Sequence, residues 1–238
     1  DLDEPPPEAI NTIVSYGVDL LRAFRGGAGT VGAIDCDVPG EMPVTIGVLR
    51  ECAPQETRVS LVPEVATKFA ALGARVLIER GAGAPAQFPD ALYKQVEWAD
   101  TSGAVLDTAD ILLTVQPLTL AQIGALKAGA IVVGYAQAHA KLAEVKALRD
   151  GRITHFAMEF VPRISRAQSM DALSSQAAIA GYKAVLIAAD HLQKFMPMLT
   201  TAAGTIRPSQ VLVIGAGVAG LQAIATARRL GAVVEAYD

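Results

Sequence analysis

Charged and aromatic residues are scarce in this chain, and neither sign of charge dominates. Charged residues make up 18% of the 238 positions and aromatic residues 5%. Lysine and arginine number 20 against 24 acidic residues, so the net charge is -4 and there is no basic surplus of the kind that binds nucleic acid. We therefore expect no nucleic-acid partner.

Cysteine and histidine are scarcer still. Cys36 and Cys52 have neither zinc-ligand spacing nor the density of a disulfide framework, and we interpret them as ordinary thiols of a reducing compartment. His155 and His191 show no metal-ligand spacing, so the sequence predicts no metal site.

Long hydrophobic runs are also missing, although 52% of the residues are hydrophobic. Charged residues, proline or glycine interrupt each apolar block before the roughly 18 to 20 residues that a membrane-spanning helix needs. We therefore expect the chain itself to be soluble. Its acidic start, residues 1–8, resembles neither a secretory signal nor an intact basic transit peptide.

Residues 1–41 differ in pattern from the rest of the chain. Three consecutive prolines at positions 5–7 predict an extended lead-in. Apolar residues at helical spacing over positions 10–24 then predict a short amphipathic helix, followed by a glycine-rich linker. The helix packs either on its own domain or on a partner or membrane surface, and the sequence leaves both open.

From Met42 onward the hydrophobic period alternates between 2 and 3.6, which indicates strands alternating with helices. Strands are predicted at residues 44–49, 75–79, 111–115, 131–135 and 153–159. Helices are predicted at residues 63–72, 118–127 and 141–149. Residues 42–165 are therefore expected to form a first Rossmann-like lobe with a doubly wound parallel sheet.

A second lobe is expected to begin at residue 206, after a loop and a connecting helix at residues 166–205. The helix is predicted over residues 172–194, and at 1.5 Å per residue it spans roughly 35 Å. Strand 211–214, helix 218–230 and strand 233–237 follow. The predicted fold class is α/β, with two Rossmann-like doubly wound parallel-sheet lobes joined by a long helix and the second lobe truncated.

Three glycines lie between that strand and that helix with the spacing of a dinucleotide fingerprint. Gly215 suits a tight turn, Gly217 lets the backbone approach a pyrophosphate, and Gly220 permits close packing of helix and sheet. Asp238 ends the next strand, where a carboxylate accepts hydrogen bonds from ribose hydroxyls and repels a 2′-phosphate, which favours NAD over NADP. The alternative is a turn that only packs a helix against a sheet.

A second polar segment, residues 163–174, precedes the long helix. Arg163, Gln168, Asp171 and Ser174 are close enough in sequence to converge on one point, and such side chains position a nicotinamide ring and its carboxamide. The alternative is that Arg163 and Asp171 form a surface ion pair and that Ser174 only starts the helix.

The chain closely resembles the NAD(H)-binding component of proton-translocating NAD(P) transhydrogenase, in the alanine dehydrogenase/transhydrogenase family. The most specific segment is residues 163–176, RISRAQSMDALSSQ, followed by AGYKAV at 180–185. Residues 42–51, 56–63 and 211–238 resemble the same family, so the resemblance covers about 42–238.

The resemblance implies roles for the candidate residues. Arg163, Gln168, Asp171 and Ser174 would contact the nicotinamide end of NAD(H), and Gln168 would bridge toward the nicotinamide of NADP(H) on a partner domain. Arg163, Gln168 and Asp171 would form the catalytic set. The pyrophosphate and the adenosine ribose would be held by Gly215, Gly217, Gly220 and Asp238.

The resemblance also implies partners and a location. A separate NADP(H)-binding domain and a membrane domain would couple hydride transfer to proton translocation, and the NAD(H) component would be a homodimer or part of a larger complex. It would lie at the cytoplasmic face of a bacterial inner membrane or on the matrix side of the mitochondrial inner membrane.

Two other functions remain open. One is a non-catalytic structural subunit derived from this family, because the sequence ends before the rest of the expected NAD lobe. The other is alanine dehydrogenase, which would need a substrate lysine near Val115 and a catalytic histidine after the next strand. Those neighbourhoods read TVQP at 114–117 and YAQA at 135–138, and His139 is out of register.

Overall fold

The computed structural model of this chain describes residues 43–238. The predicted N-terminal helix and Cys36 lie outside the described residues. The chain divides into two compact units, of which the first ends at Asp171 and the second covers Ala172–Asp238. The boundaries predicted from the sequence, at residues 41, 165 and 205, stay predictions.

The first unit is built on a six-stranded, entirely parallel sheet. Its strands are β1 Thr45–Val48, β2 Arg75–Glu79, β3 Glu97–Ala99, β4 Ile111–Leu113, β5 Ile131–Gly134 and β6 Thr154–Ala157. The spatial order is β3-β2-β1-β4-β5-β6, and all five pairings are parallel. The predicted α/β class is therefore confirmed. The strand order reverses between β1 and β4, which opens a crevice at their carboxyl ends.

Four helices cover this sheet: α1 Pro63–Ala71, α2 Ser102–Thr108, α3 Leu120–Gly124 and α4 Leu142–Asp150. Local sequence explains several starts. Pro63 opens α1, the Thr101 hydroxyl caps α2, and Thr119 with Gln122 forms a reciprocal capping box on α3. The central strands β1 and β4 are wholly buried, as continuous apolar runs in parallel sheets usually are.

Some predicted elements differ from the structure. The sequence pattern missed β3 and α2, because β3 has only three residues and pairs at the sheet edge with β2. The helix predicted at 118–127 is limited to Leu120–Gly124, since it is a single short turn after the capping box. The strand predicted to reach residue 159 ends at Ala157, where the chain enters a 3-10 turn, Met158–Phe160.

The second unit contains α5 Ala172–His191, β7 Leu199–Thr201, β8 Gly204–Ile206, β9 Gln210–Ile214, α6 Val218–Arg229 and β10 Val233–Tyr237. Strands β9 and β10 pair in parallel, and α6 connects them. The sequence missed the antiparallel β7–β8 hairpin, which follows soon after the end of α5, a helix that was expected to continue to residue 194.

Helix α5 packs against α6 at a point where only glycine fits. A Cβ on Gly181 would overlap the backbone carbonyl of Ala219. By length and composition α5 also meets the criteria for a membrane span, unlike our expectation that no run is long enough, because it carries only Lys183 and Asp190 as charged residues. A single such helix is weak evidence for a span.

Candidate functional site

The glycine turn between β9 and α6 is closed by backbone contacts. Gly215 adopts a φ of 97°, in the left-handed region that favours glycine, and its N–H donates to the Tyr237 carbonyl over 2.8 Å. A Cβ on Gly220 would overlap the Gly215 carbonyl oxygen, so the helix can start against the turn only with glycine there. Around Gly217 the space is open, and a ligand can approach the backbone.

Asp238 lies at this same turn. Its Oδ2 atom accepts a hydrogen bond from the Ala216 N–H over 3.0 Å, and the side chain is exposed. Gly217 occupies the N-cap position of α6 and provides no side-chain cap to its first N–H groups. A helix N-terminus without a side-chain cap attracts anions, and a carboxylate beside it has further acceptor positions for hydroxyl groups.

The Arg163 loop, which we define as residues 159–171, lies at the carboxyl end of the first sheet. It contains a 3-10 helix, Ser165–Met170, in which Ala167 is buried while Arg163 before it and Gln168 within it are exposed. Asp171 is half-buried, and its charge acts on the Tyr135 side chain at the end of β5. Three of the four residues predicted for the nicotinamide therefore share one loop of the first unit.

Ser174, the fourth of these residues, lies in the first turn of α5 and belongs to the second unit. The glycine turn also belongs to that unit. The prediction that the loop and the turn face one cleft, and the role of each candidate residue, stay predictions.

A network of carboxylates at the end of the first sheet went unnoticed in the sequence. Glu51, which follows β1, accepts hydrogen bonds from the N–H groups of Val115 and Gln116, beyond the neighbouring strand β4, over 2.5 and 3.2 Å. Glu56 binds the Arg58 guanidinium through both oxygens, at 2.8 and 2.6 Å, and also accepts from the Gln116 side chain. Acidic residues shortly after a buried strand were the available signal.

Burial and hydrogen bonding act differently on these two carboxyl groups. Burial raises the pKa of Glu51 despite its two backbone hydrogen bonds. Burial also acts to raise the pKa of Glu56, but hydrogen bonds from Arg58 and Gln116 outweigh it and hold that pKa at about 2. Glu56 therefore stays ionised at any physiological pH.

A cavity of about 300 Å³ opens beside this network, in the crevice where the strand order reverses. Polar side chains from the segments after β1, β4 and β5 line it, among them Arg50, Glu51, Thr114, Gln116, Gln137 and Lys141. Within residues 43–238 there is no group of three or more His, Cys, Asp or Glu side chains that could hold a metal ion.

A doubly wound parallel sheet, together with a strand, glycine turn, helix and strand ending in an acidic residue, defines the class of Rossmann-like α/β proteins. Family models agree with this class. Residues 47–180 match the model described as alanine dehydrogenase/PNT, N-terminal domain, and residues 184–238 match the C-terminal domain of the same family. The chain belongs to the alanine dehydrogenase/PNT family.

Individual relatives support the same assignment. The chain is 46% identical over 200 residues to an NAD(P) transhydrogenase alpha subunit of Rhodospirillum rubrum, covering 81% of this chain and 52% of the relative. It is 31% identical over 198 residues to alanine dehydrogenase of Mycobacterium tuberculosis, covering 81% of this chain and 53% of that protein. The chain thus spans about half the length of these curated relatives.

A solved structure, transhydrogenase from Sinorhizobium meliloti, superposes with a TM-score of 0.78 at 43% identity, over 82% of this chain and 58% of the other. An L-alanine dehydrogenase superposes with a TM-score of 0.73 at 25% identity, over 82% of this chain and 55% of the other. The predicted family and Rossmann-like fold are therefore confirmed.

Proposed function

We propose that this chain is the NAD(H)-binding component of an NAD(P) transhydrogenase. The observation that carries the proposal is the exposed glycine turn whose Ala216 N–H is bound by Asp238. The names of the more similar relatives, transhydrogenase alpha subunits, support it.

The residues of the turn fit a dinucleotide. The open space at Gly217 leaves room for a pyrophosphate against the backbone and the first turn of α6. Asp238 uses one oxygen on the turn, and its second oxygen is available for the hydroxyls of the adenosine ribose. Its negative charge would repel a 2′-phosphate, so NAD(H) is the proposed cofactor.

The Arg163 loop is the proposed site for the nicotinamide end. Arg163 and Gln168 present donors and an acceptor to solvent, and Asp171 provides a carboxylate. Bound NADH would supply the hydride, so these side chains need only orient the ring and exclude water. Ser174 would complete the set, and Gln168 would reach toward the nicotinamide of NADP(H) on a partner.

Exposed apolar side chains support the proposed partners. Phe160 and Ile164 are solvent-exposed within the Arg163 loop, where a separate NADP(H)-binding domain would dock. A membrane domain would couple hydride transfer to proton translocation, and this chain would act as a homodimer or within a larger complex. The proposed location is the cytoplasmic face of a bacterial inner membrane or the matrix side of the mitochondrial one.

Titration calorimetry with NADH and NADPH tests the proposal. We expect micromolar binding of NADH and much weaker binding of NADPH. Gly217→Ala should weaken NADH binding at least tenfold without unfolding the protein, because the added methyl meets no protein atom but occupies the approach to the pyrophosphate. Gly103→Ala is the matched control, since that glycine lies exposed in α2.

Absence of heat at millimolar NADH would contradict the proposal and favour the non-catalytic structural subunit. Alanine dehydrogenase has less support. The positions where it would need a lysine and a histidine are occupied by Gln116, which donates to Glu56, and by Gln137, while His139 is exposed. We expect no NAD-dependent deamination of alanine.

A further inference from the structure

Glu159, at the start of the Arg163 loop, is bound to the backbone that follows β5. Its two carboxylate oxygens each accept a hydrogen bond from the Ala136 N–H over 3.1 Å, and Oε1 also accepts from the Gln137 N–H over 2.6 Å. Among residues 43–238 no lysine or arginine forms an ion pair with Glu159. Its negative charge is instead stabilised by these two backbone N–H groups.

The backbone that Glu159 binds is strained. Gln137 has a φ of 48°, a left-handed conformation that residues other than glycine rarely adopt. Two charge-assisted hydrogen bonds from neighbouring N–H groups to one carboxylate stabilise such a turn. Glu159 therefore joins the loop that follows β6 to a fixed conformation at the end of β5.

The other end of the Arg163 loop returns to the same strand. Tyr135 immediately precedes Ala136, and burial raises the pKa of its phenol, with the charges of Glu159 and Asp171 acting in the same direction. Both acids, the first and the last residue of the loop, are thus close to the carboxyl end of β5.

Between these ends the backbone of the loop bonds mainly to itself. Its hydrogen bonds are short-range, such as Ala167 N–H to Ile164 O over 2.9 Å and Asp171 N–H to Gln168 O over 3.2 Å. Only Ala167 is buried between Arg163 and Ser169. The position of the loop must then be set largely at its ends.

We propose that Glu159 is a positioning residue, which holds the Arg163 loop against the end of β5 and thereby fixes the orientation of Arg163, Gln168 and Asp171. The functional consequence rests on the proposed nicotinamide site. Glu159 itself touches neither cofactor nor substrate in this proposal.

Hydrogen exchange measured by mass spectrometry tests the positioning without any cofactor. In Glu159→Gln the amides of Ala136 and Gln137 should exchange about tenfold faster, because a neutral amide with one acceptor replaces a carboxylate with two. Residues 160–171 should exchange faster as well. Glu64→Gln, an exposed change on α1, is the matched control. Unchanged exchange over residues 160–171 in Glu159→Gln would overturn the proposal.

A second measurement uses this chain assembled with its NADP(H)-binding partner. Glu159→Gln should slow hydride transfer about tenfold while the Kd for NADH changes less than about threefold, since the glycine turn is untouched. Glu159→Asp should restore part of the rate. Equal losses in rate and NADH affinity would contradict a positioning role. If the unchanged chain fails to bind NADH, the proposed function fails, and the exchange experiment still decides the positioning.

Discussion

Single side chains at the end of the first sheet carry the most specific chemistry of the first unit. Glu56 is almost inaccessible at its side chain, 6% exposed, and forms a two-oxygen contact with Arg58. The pair is a polar crosslink within the segment after β1, and it extends through Gln116 to the segment after β4. Such buried, hydrogen-bonded carboxylates make stability depend on pH.

Replacing Glu56 with Gln should reduce the acid sensitivity of the fold. The pKa of Glu56 is about 2 in the folded chain and about 4.3 when unfolded. Its stabilising contribution is therefore present above about pH 4.3 and lost as the pH falls toward about 2. We expect Glu56→Gln to be less stable at pH 7, with the difference vanishing near the folded-state pKa, in urea unfolding at several pH values. Glu64→Gln serves as the control, and a constant difference at all pH values would contradict the prediction.

Gln168 is the residue whose replacement best separates binding from chemistry. In a complete transhydrogenase, Gln168→Asn should slow hydride transfer far more than it weakens NADH binding, because the shortened side chain misplaces an amide needed only between the two nicotinamides. Stopped-flow transhydrogenation and NADH titration measure the two effects. Losses of equal size would remove Gln168 from this role.

Among the secondary-structure elements, the pair α5 and α6 shows how a glycine sets a helix contact. Gly181 lies in the middle of α5, where helix propensity disfavours glycine, yet a side chain there would overlap the Ala219 backbone in α6. Close packing of the two helices therefore outweighs local propensity. The β7–β8 hairpin is the opposite case, because short polar strands formed there without a strong hydrophobic pattern.

The same substitution should have opposite effects in two helices. Gly181→Ala should lower the free energy of unfolding by about 1–3 kcal/mol, because the methyl group overpacks the contact with Ala219. Gly103→Ala in α2 should raise it by about 0.5–1 kcal/mol, since only the Thr101 hydroxyl lies within 4 Å of the new Cβ. Chemical unfolding of both variants checks this, and equal effects would show that the Gly181 contact is unimportant.

Across the whole molecule, the second unit exposes more apolar surface than a single soluble chain usually does. Leu212, Ile214 and Tyr237 on β9 and β10 are 63%, 80% and 73% exposed. Contiguous apolar surface of this kind marks contact sites for proteins or membranes. It supports the proposed homodimer or larger complex, with a net charge of only -4 to oppose association.

We expect the isolated chain to associate in a concentration-dependent way. Sedimentation velocity over a range of concentrations measures this, and the double change Leu212→Ser with Ile214→Ser should shift the chain toward monomer, because it removes apolar surface from one face of β9. Leu142→Ser, on the exposed face of α4, is the control. A wild-type chain that is monomeric at all concentrations would contradict this prediction.

The sequence determined the features whose physics is local. Alternating hydrophobic periods determined the parallel α/β fold, and three glycines between a strand and a helix determined the turn, because only glycine tolerates the φ of Gly215 and the contact at Gly220. The residues of segment 163–176 were enough to find the family. These signals depend on neighbours in the chain and need no knowledge of distant partners.

The tertiary structure alone decided which residues from separate strands meet. Glu51 binds N–H groups 64 and 65 residues away, and Glu159 binds N–H groups beyond β5. Edge strand β3 likewise exists through its pairing with β2 rather than through its own sequence. Hydrogen bonds of this kind depend on strand order and register, which place the carboxyl ends of parallel strands side by side, and no local pattern encodes that arrangement.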